Sequence, residues 1–541
     1  MALTKATYRM TTGAPANVLD FGAKGDGVTN DTAAIQAAIA ASKSVYFPSG
    51  SYLVSGTPET AIFTLTSDSE IFGDGANSTK ILVSTSARGD VFVIDTVNKV
   101  TVSDLTVDGQ SFGLLANLSD RFSAFDVIDS NDITIENVRI TKVLGHPNHA
   151  TQSKPTNVIT IDNSNNVTVN NCDFVANRSE VVYFYNTCER AMITNCRFLG
   201  DQAPYDANFG QPFGSFVSGG GTPNNLIFDN NDCRESGFTS ISPNNGDGMR
   251  ITNNRVYDAN YAGIGVGELD MSTTKYDSQN DCIISGNIVI GSGQDGIIYT
   301  GGTNCIISNN IVSDQTAANR YGIRIGATGY SGNVTGVGIV ISNNILQNNT
   351  DGLLVEFGVD VHITGNSFIE NTSYGVFVAS NQSSLDTVVY IRDNLFRENA
   401  TGGIQFGSTA TYTQVGYVEN NMFSSSNPST IQGLAIIANG SNSSINVIDN
   451  SFRGGYLLDI ASSTATKGYA YYAVSSGAIN PAPFALGGNY VNYGSAAPTT
   501  GTWGRGDIIF NTLPSAGGTV GFVCTSGGTP GTWKTFGTIA V

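Results

Sequence analysis

An asparagine-bearing phrase returns every 22 to 35 residues between about residue 100 and residue 452, and that repeat restricts the chain to one kind of architecture. It reads ITNNRV from Ile251, IISNNIV around Ile307, VISNNIL around Ile341, HITGNSF around Ile363, YIRDNLF around Ile391 and YVENNMF around Val418. Anchoring each copy five places before its closing apolar residue gives positions 102, 135, 169, 193, 228, 251, 284, 307, 341, 363, 391, 418 and 447. The phrase alternates apolar and polar side chains and closes on a turn residue, a strand pattern and not a helical one. One such unit cannot bury its apolar face alone, so copies must stack. The fold class that follows is all-β, a right-handed parallel β-helix with one coil per repeat.

Three places after the anchor stand Asn231, Asn254, Asn287, Asn310, Asn344, Asn366, Asn394, Asn421 and Asn450. Stacked in register, these amides would lie about 4.8 Å apart and hydrogen-bond along the axis. A position filled in every coil is no localised site, so these residues read as a turn ladder. Cys172 and Cys196 hold the same position in two earlier coils, and Cys282 and Cys305 share another. Stacked free thiols in the coil wall explain them better than a disulfide framework.

The formal charge of −18 argues against a nucleic-acid groove or an anionic membrane surface as partner. The opening MALTKATYRMTTGAP has no apolar core of a secretory signal, and no run of eighteen apolar residues exists to enter a membrane. The three histidines, His146, His149 and His362, are too scattered for a zinc site or a Ser-His-Asp triad. No metal or cofactor is expected.

Residues 16 to 54 read as a strand, a glycine turn, a short helix capped by Asn30 or Asp31, and a further strand at 45 to 47. The phrases NVLDFGAKGDGVTNDTAAIQAAI and VYFPSGSYLV, about forty residues, resemble the start of the pectate-lyase and polygalacturonase-like β-helix superfamily, and especially bacteriophage tailspike depolymerases. That resemblance implies a helix covering the open end of the solenoid. It also implies a phage tailspike, made in the bacterial cytoplasm and carried on the virion, that binds and cleaves a bacterial surface polysaccharide, capsule or O-antigen. A homotrimer and a tail or baseplate protein are the implied partners. Residues 501 to 541, which hold Trp503 and Trp533, resemble the small β-rich ends of phage tail proteins, used for trimerisation or carbohydrate contact. The RGD from Arg505 to Asp507 reads as a turn. The organisation expected is a cap and first coils over 1–100, the β-helix over 101–455 and a β-rich region over 456–541.

A second strand recurs between the asparagine phrases, and its outward side chains form columns along the axis. One column is read as Asp126, Thr160, Phe184, Ser242, Gly265, Ile298, Arg324, Leu354, Phe377 and Gln405. Coils of 33 to 35 residues alternate with coils of 22 to 24, and the extra residues at 268–280 and 327–338 would wall a cleft. Glycoside hydrolysis needs two carboxyl groups across the bond, one held protonated and one ionised. The candidates are Asp247, Glu268 and Asp270 first, then Glu356 paired to Arg324, with Asp295 between. Each also has a structural reading. Asp247 in NNGDG and Asp295 in GQDG are natural turn residues, and Glu356 with Arg324 reads equally as a solvated ion pair. Arg324, Phe184, Tyr261, Tyr276, Phe377 and Gln405 are the candidate sugar contacts. Scarce basic residues rank a lyase below a hydrolase, and a non-cleaving adhesin is the remaining alternative.

Overall fold

The computed structural model describes residues 13–57, 60–110, 122–143, 157–177, 180–200, 216–219, 221–243, 246–267, 279–315, 320–326, 336–356, 358–379, 387–407, 414–424, 434–438, 443–448, 450–453, 484–486 and 489–541. It divides into two compact units, residues 1–350 and 351–541.

In the first unit the coils stack into three parallel sheets, the third crossing the coil of Ile241 only by isolated bridges to Val217 and Ile264. Val102, Ile135, Val169, Ile193, Phe228, Ile251, Ile284, Ile307 and Ile341 are paired in register, so each anchor of the repeat is a partner of the next. All nine are buried, which makes this column one wall of the core. The second sheet follows the turn and stacks Phe174 on Phe198 at 4.7 Å. The third sheet runs through Asp90–Asp95, Phe125–Ile128, Ile159–Asp162, Val182–Tyr185 and Val217–Gly219, and later through Ile264–Val266, Ile297–Tyr299 and Tyr321–Ile325.

Between the first two sheets two consecutive asparagines divide the work of the turn. The first, as at Asn195, Asn230, Asn253 and Asn309, takes a left-handed backbone with φ of 53 to 57°. An asparagine tolerates that region at low cost, and Gly286 fills it where the repeat has no asparagine. The second asparagine turns inward. Asn254 Nδ2 donates to Asn287 Oδ1 at 3.0 Å, Asn287 to Asn310 at 3.0 Å, and Asn310 to Asn344 at 2.9 Å. Each amide also donates to a carbonyl of the coil before, as Asn287 Nδ2 does to Ile251 O. Each carbonyl oxygen accepts the preceding rung's backbone N–H, as Asn287 Oδ1 does from Asn254. Buried polar groups are thereby satisfied within the wall itself. Cys196 and Cys172 continue this ladder: Cys196 N donates to Asn231 Oδ1, and Cys172 N donates to Cys196 Sγ. All seven cysteines are free and buried. Burial pushes the Cys188 thiol up to about 11 and the Cys282 thiol to about 12, far from the range of a reactive thiolate.

The helix Thr32–Ala41 buries Ile35 and Ala38 against the first strands. Its N-cap residue, Asp31, makes no capping bond with its side chain; Asn30, one place ahead, accepts from Thr32 N at 3.1 Å. Asp31 is buried and accepts the N–H groups of Lys24 and Gly25, holding the GDG segment as a turn. No helix among the described residues is long and apolar enough to cross a membrane.

The second unit repeats the scheme. Ile363, Ile391, Val418 and Val447 are in register, and Asn366, Asn394, Asn421 and Asn450 form its amide ladder. Its last strands, Asn489–Gly494, Ile508–Asn511, Thr519–Ser526 and Thr532–Thr538, form a small mixed sheet over Val491, Ile509 and Cys524. The RGD is a turn there: Gly504 N donates to Asp507 Oδ2, Asp507 N donates to Gly504 O, and Gly506 has φ 99°.

Candidate functional site

The outward face of the third sheet places chemistry-bearing side chains on four consecutive coils of the first unit. Phe92, Phe125, Ile159 and Val182 point inward and are buried. Their strand neighbours therefore point out: Val93 and Asp95, Asp126 and Ile128, Thr160 and Asp162, Tyr183 and Tyr185. Asp95 and Tyr185 are exposed, Asp126 and Asp162 half-buried. Asp126 sits one coil from Asp95 and one from Asp162, offset by two residues. A parallel strand spacing of about 4.8 Å and a two-residue rise of about 6.6 Å separate such Cα atoms by about 8 Å. The Tyr183 and Tyr185 rings lie 6.5 Å apart on the coil after Asp162. Asn186 Nδ2 donates to Asp162 Oδ1 at 2.7 Å, and Asn163 Nδ2 donates to the exposed Asp129. Carboxyl groups on adjoining coils of one face, with an exposed aromatic beside them, are the parts that acid–base cleavage of a glycan requires. Among the described residues no three acidic, His or Cys side chains are grouped to hold a metal ion.

Sequence reasoning placed Asp126 and Thr160 on this face but misread the next coil. Phe184 is fully buried and pairs with Ile161, so it is core and cannot stack on a sugar; Tyr183 holds the outward place beside Thr160. The slip arose because VVYFYN can be read in either strand phase, and a shift of one residue exchanges the two faces. The exposed Tyr185 signals the phase only once the coil's register is known.

Of the expected carboxylates, Glu268 and Asp270, with Tyr276, fall outside the described residues. Asp247 is a rung in a surface ladder. Asn165 Nδ2 donates to Asn131, Glu189 N to Asn165, Asn224 Nδ2 to Glu189, Asp247 N to Asn224, and Asn280 Nδ2 to Asp247, with Thr303 bonded to Asn280. Asp295 is buried and accepts Tyr321 N at 2.9 Å, with Arg324 Nη1 3.5 Å from its other oxygen. Burial holds its proton more tightly than usual, opposed by the Tyr321 N–H and the charges of Arg324 and Arg320. Asp90 and Asp351 make the same bond from the same end of a third-sheet strand, accepting Ser123 N and Tyr374 N. A bond recurring in separate coils ties coil to coil, so the turn reading describes Asp295 well.

Arg324 is nearly buried, with Nη1 3.5 Å from Asp295, and Glu356, which belongs to the second unit, is buried. Phe377 and Gln405 are half-buried partners in one outward column of the second unit, as expected from their phase. Tyr261 is half-buried and stacks on Phe238 with centroids 4.8 Å apart, in the turn ahead of Ile264–Val266.

Residues 16–203 match the family described as rhamnogalacturonase A/epimerase, pectate lyase-like, and residues 273–452 match the right-handed β-helix region. The chain therefore contains a pectate-lyase-like region and a right-handed β-helix region. Among curated proteins it is similar to the mannuronan C5-epimerase AlgE1 of Azotobacter vinelandii, 37% identical over 147 residues, covering 24% of this chain and 10% of that protein. It is also similar to alginate lyase 7 of the same organism, 33% identical over 144 residues, covering 24% of this chain and 17% of that protein. The chain spans 10% and 17% of the length of these two relatives. Among solved structures, tailspike protein 3 of bacteriophage CBA120 aligns over 97% of this chain and 69% of its own, at 13% identity and a TM-score of 0.41.

Proposed function

We propose that the protein binds and cleaves a polysaccharide along the outward face of the third sheet, with two of Asp95, Asp126 and Asp162 as the catalytic pair. The observation that carries this reading is the clustering of three carboxylates and two tyrosines on coils where the outward column is otherwise aliphatic or hydroxyl-bearing. One carboxyl group protonates the glycosidic oxygen as the bond to the anomeric carbon breaks. The other, across the sugar, removes a proton from the attacking water. Side chains borne on Cα atoms about 8 Å apart can set their carboxyl groups on either side of a glycosidic bond; a carboxyl separation of about 6.5–9.5 Å gives inversion and one of about 5 Å gives retention. Tyr185 offers a ring for the neighbouring sugar. Three carboxylates on one face repel an anionic chain, so the substrate is a neutral or sparsely charged glycan. The likeness of the N-terminal phrases to tailspike depolymerases supports a bacterial capsule or O-antigen as that glycan. It likewise supports a homotrimer carried on a phage virion through a tail or baseplate protein.

A second reading has its own support, the identity with a mannuronan C5-epimerase and an alginate lyase. Both reactions begin by removing the C5 proton of a uronate. Asp126 or Asp162 would be the base, and a cation would have to offset the uronate's charge.

Incubation with a panel of capsule and O-antigen polysaccharides separates the readings. Hydrolysis gives new reducing ends without ultraviolet absorbance. Elimination gives reducing ends with absorbance from the new double bond. Epimerisation gives neither, but incorporates solvent deuterium at C5. Binding with none of these leaves an adhesin and refutes the catalytic assignment.

A further inference from the structure

The chain has only two tryptophans, and the small sheet of the second unit brings both together through a duplicated motif. Gly501-Thr502-Trp503 and Gly531-Thr532-Trp533 carry the same three residues, and their glycines have φ of 86 and 83°. A side chain in that region would be strained, so glycine permits the turn. Each turn folds the indole back on its own chain. Trp503 Nε1 donates to Thr500 O at 2.9 Å, and Trp533 Nε1 donates to Pro530 O at 3.0 Å. The backbone of Trp503 exchanges two hydrogen bonds with Gly528, which fixes one turn beside the other. The rings meet edge to face, with centroids 5.2 Å apart and an angle of 80°.

Neither ring belongs to the core of the sheet, which is Val491, Ile509 and Cys524; both indoles are half-buried at the surface. Their N–H groups are already occupied by carbonyls of their own turns, so what they offer outward is carbon surface in a preset geometry. Around them stand exposed hydroxyls at Thr502, Thr525, Thr529 and Thr532. The charge differs from the rest of the molecule. Residues 489 to 541 hold Arg505 and Lys534 against Asp507, a net of +1 in a chain of −18, and Asp507 is buried in its turn. Rigid indoles ringed by hydroxyls, with little charge, match a pyranose: its axial C–H bonds lie on an aromatic face while its hydroxyls meet the polar rim. A protein partner would ordinarily find apolar contacts beyond the two rings, and the turns that carry them, residues 500–504 and 527–533, are otherwise threonine and glycine with the one proline, Pro530.

We propose that the Trp503–Trp533 pair is a second glycan-binding site, taking a neutral or weakly anionic pyranose ring by stacking, apart from the carboxylate face. It extends the polysaccharide reading above to a non-catalytic contact that holds a long polymer near the protein. Because the pair contains every tryptophan of the chain, tryptophan emission excited beyond the absorption of tyrosine reports on this site alone. The experiment prints bacterial capsule and O-antigen polysaccharides, dextran and polymannuronate as an array, finds those that bind the full chain, and titrates these in solution. Emission from the two indoles should shift or quench on saturation. Trp503→Ala and Trp533→Ala should each weaken that binding about tenfold, the loss of one aromatic contact. Trp503→Phe and Trp533→Phe, which keep a ring, should fall between and guard against simple unfolding. Reducing-end release from short oligosaccharides should not change in any of the four. No emission change with any glycan that binds would overturn the proposal. So would array binding unaffected by all four variants. A change in oligomeric mass by light scattering in the alanine variants would overturn it in favour of a contact between copies. Failure of catalysis on the array glycans with the emission change intact would refute the catalytic reading and leave this site standing.

Discussion

The asparagine corner and the outward face of the third sheet are built from the same coils but obey opposite rules. At the corner, Asn231, Asn254, Asn287, Asn310 and Asn344 repeat one residue in one role, and every polar atom answers to the coil above or below. On the third-sheet face, Val93, Asp126, Thr160 and Tyr183 follow one another in a single column with no shared chemistry. A solenoid is stabilised by whatever can be repeated, because neighbours satisfy each other at short spacing. A site must break the repeat, since a substrate needs different groups at different places. Irregularity in a column is therefore the better guide to function, and repetition the guide to stability.

The largest effect separates the two regions by activity. Asp126→Asn and Asp162→Asn keep the shape of the face but remove charge and proton. Loss of a catalytic acid or base should lower the cleavage rate on the order of 10² to 10⁴-fold, with the melting temperature unchanged. A fall in melting temperature with activity retained would place these residues among the structural carboxylates instead.

Next comes the corner. Asn287→Ala orphans the N–H of Asn254, takes one of the donors from the carbonyl of Ile251, which stays in the strand ladder, and removes one acceptor from the Asn254 amide. At about 1–3 kcal/mol for the buried N–H left unpaired and about 1 kcal/mol for each of the two further bonds, the loss is on the order of 3–5 kcal/mol, read by thermal or urea unfolding. The neighbouring Asn253→Gly should be nearly neutral, because its place in the next coil is already Gly286 at φ 70°.

A third test lies between the extremes. Asp351 is buried, and burial raises its proton affinity above the usual 3.8, against the N–H of Tyr374 and the side chain of Ser373. The folded state thus holds this proton more tightly than the unfolded chain. Its contribution to stability is fully present at low pH and is lost as pH rises from 3.8 through the raised folded value. Asp351→Asn retains an acceptor without the charge. It should unfold later than the unchanged chain at neutral pH, and the gap should close as pH falls through that window. A gap that is constant from pH 3 to pH 8 would remove the buried-charge explanation.

The smallest effect is at Asp247. Asp247→Asn keeps the oxygen that accepts from Asn280, so stability should change by less than about 0.5 kcal/mol and cleavage not at all. Lost cleavage there would return the chemistry to the turn ladder.

The anchors from 102 to 341 were legible from sequence because a buried aliphatic column has no alternative identity, and all nine are partners in register. The stacked Cys172 and Cys196 were legible by position alone. The role of the first asparagine in each pair was not, because left-handed backbone leaves no mark distinct from a surface polar residue. Asp247 looked catalytic only while its neighbours were unknown; Asn224 and Asn280, which make it a rung, are 23 and 33 residues away. Asp95 escaped attention for the converse reason. It resembles a strand-end polar residue, and only registration across coils places it beside Asp126.

The most direct test is a crystal structure of Asp126→Asn with an oligosaccharide of a cleaved polysaccharide bound. The account predicts sugar rings on the outward third-sheet face, against Tyr185 and spanning residues 126 and 162. Sugar seated instead over Asp247 and Asn280, or on the outer face of the first or second sheet, would contradict it.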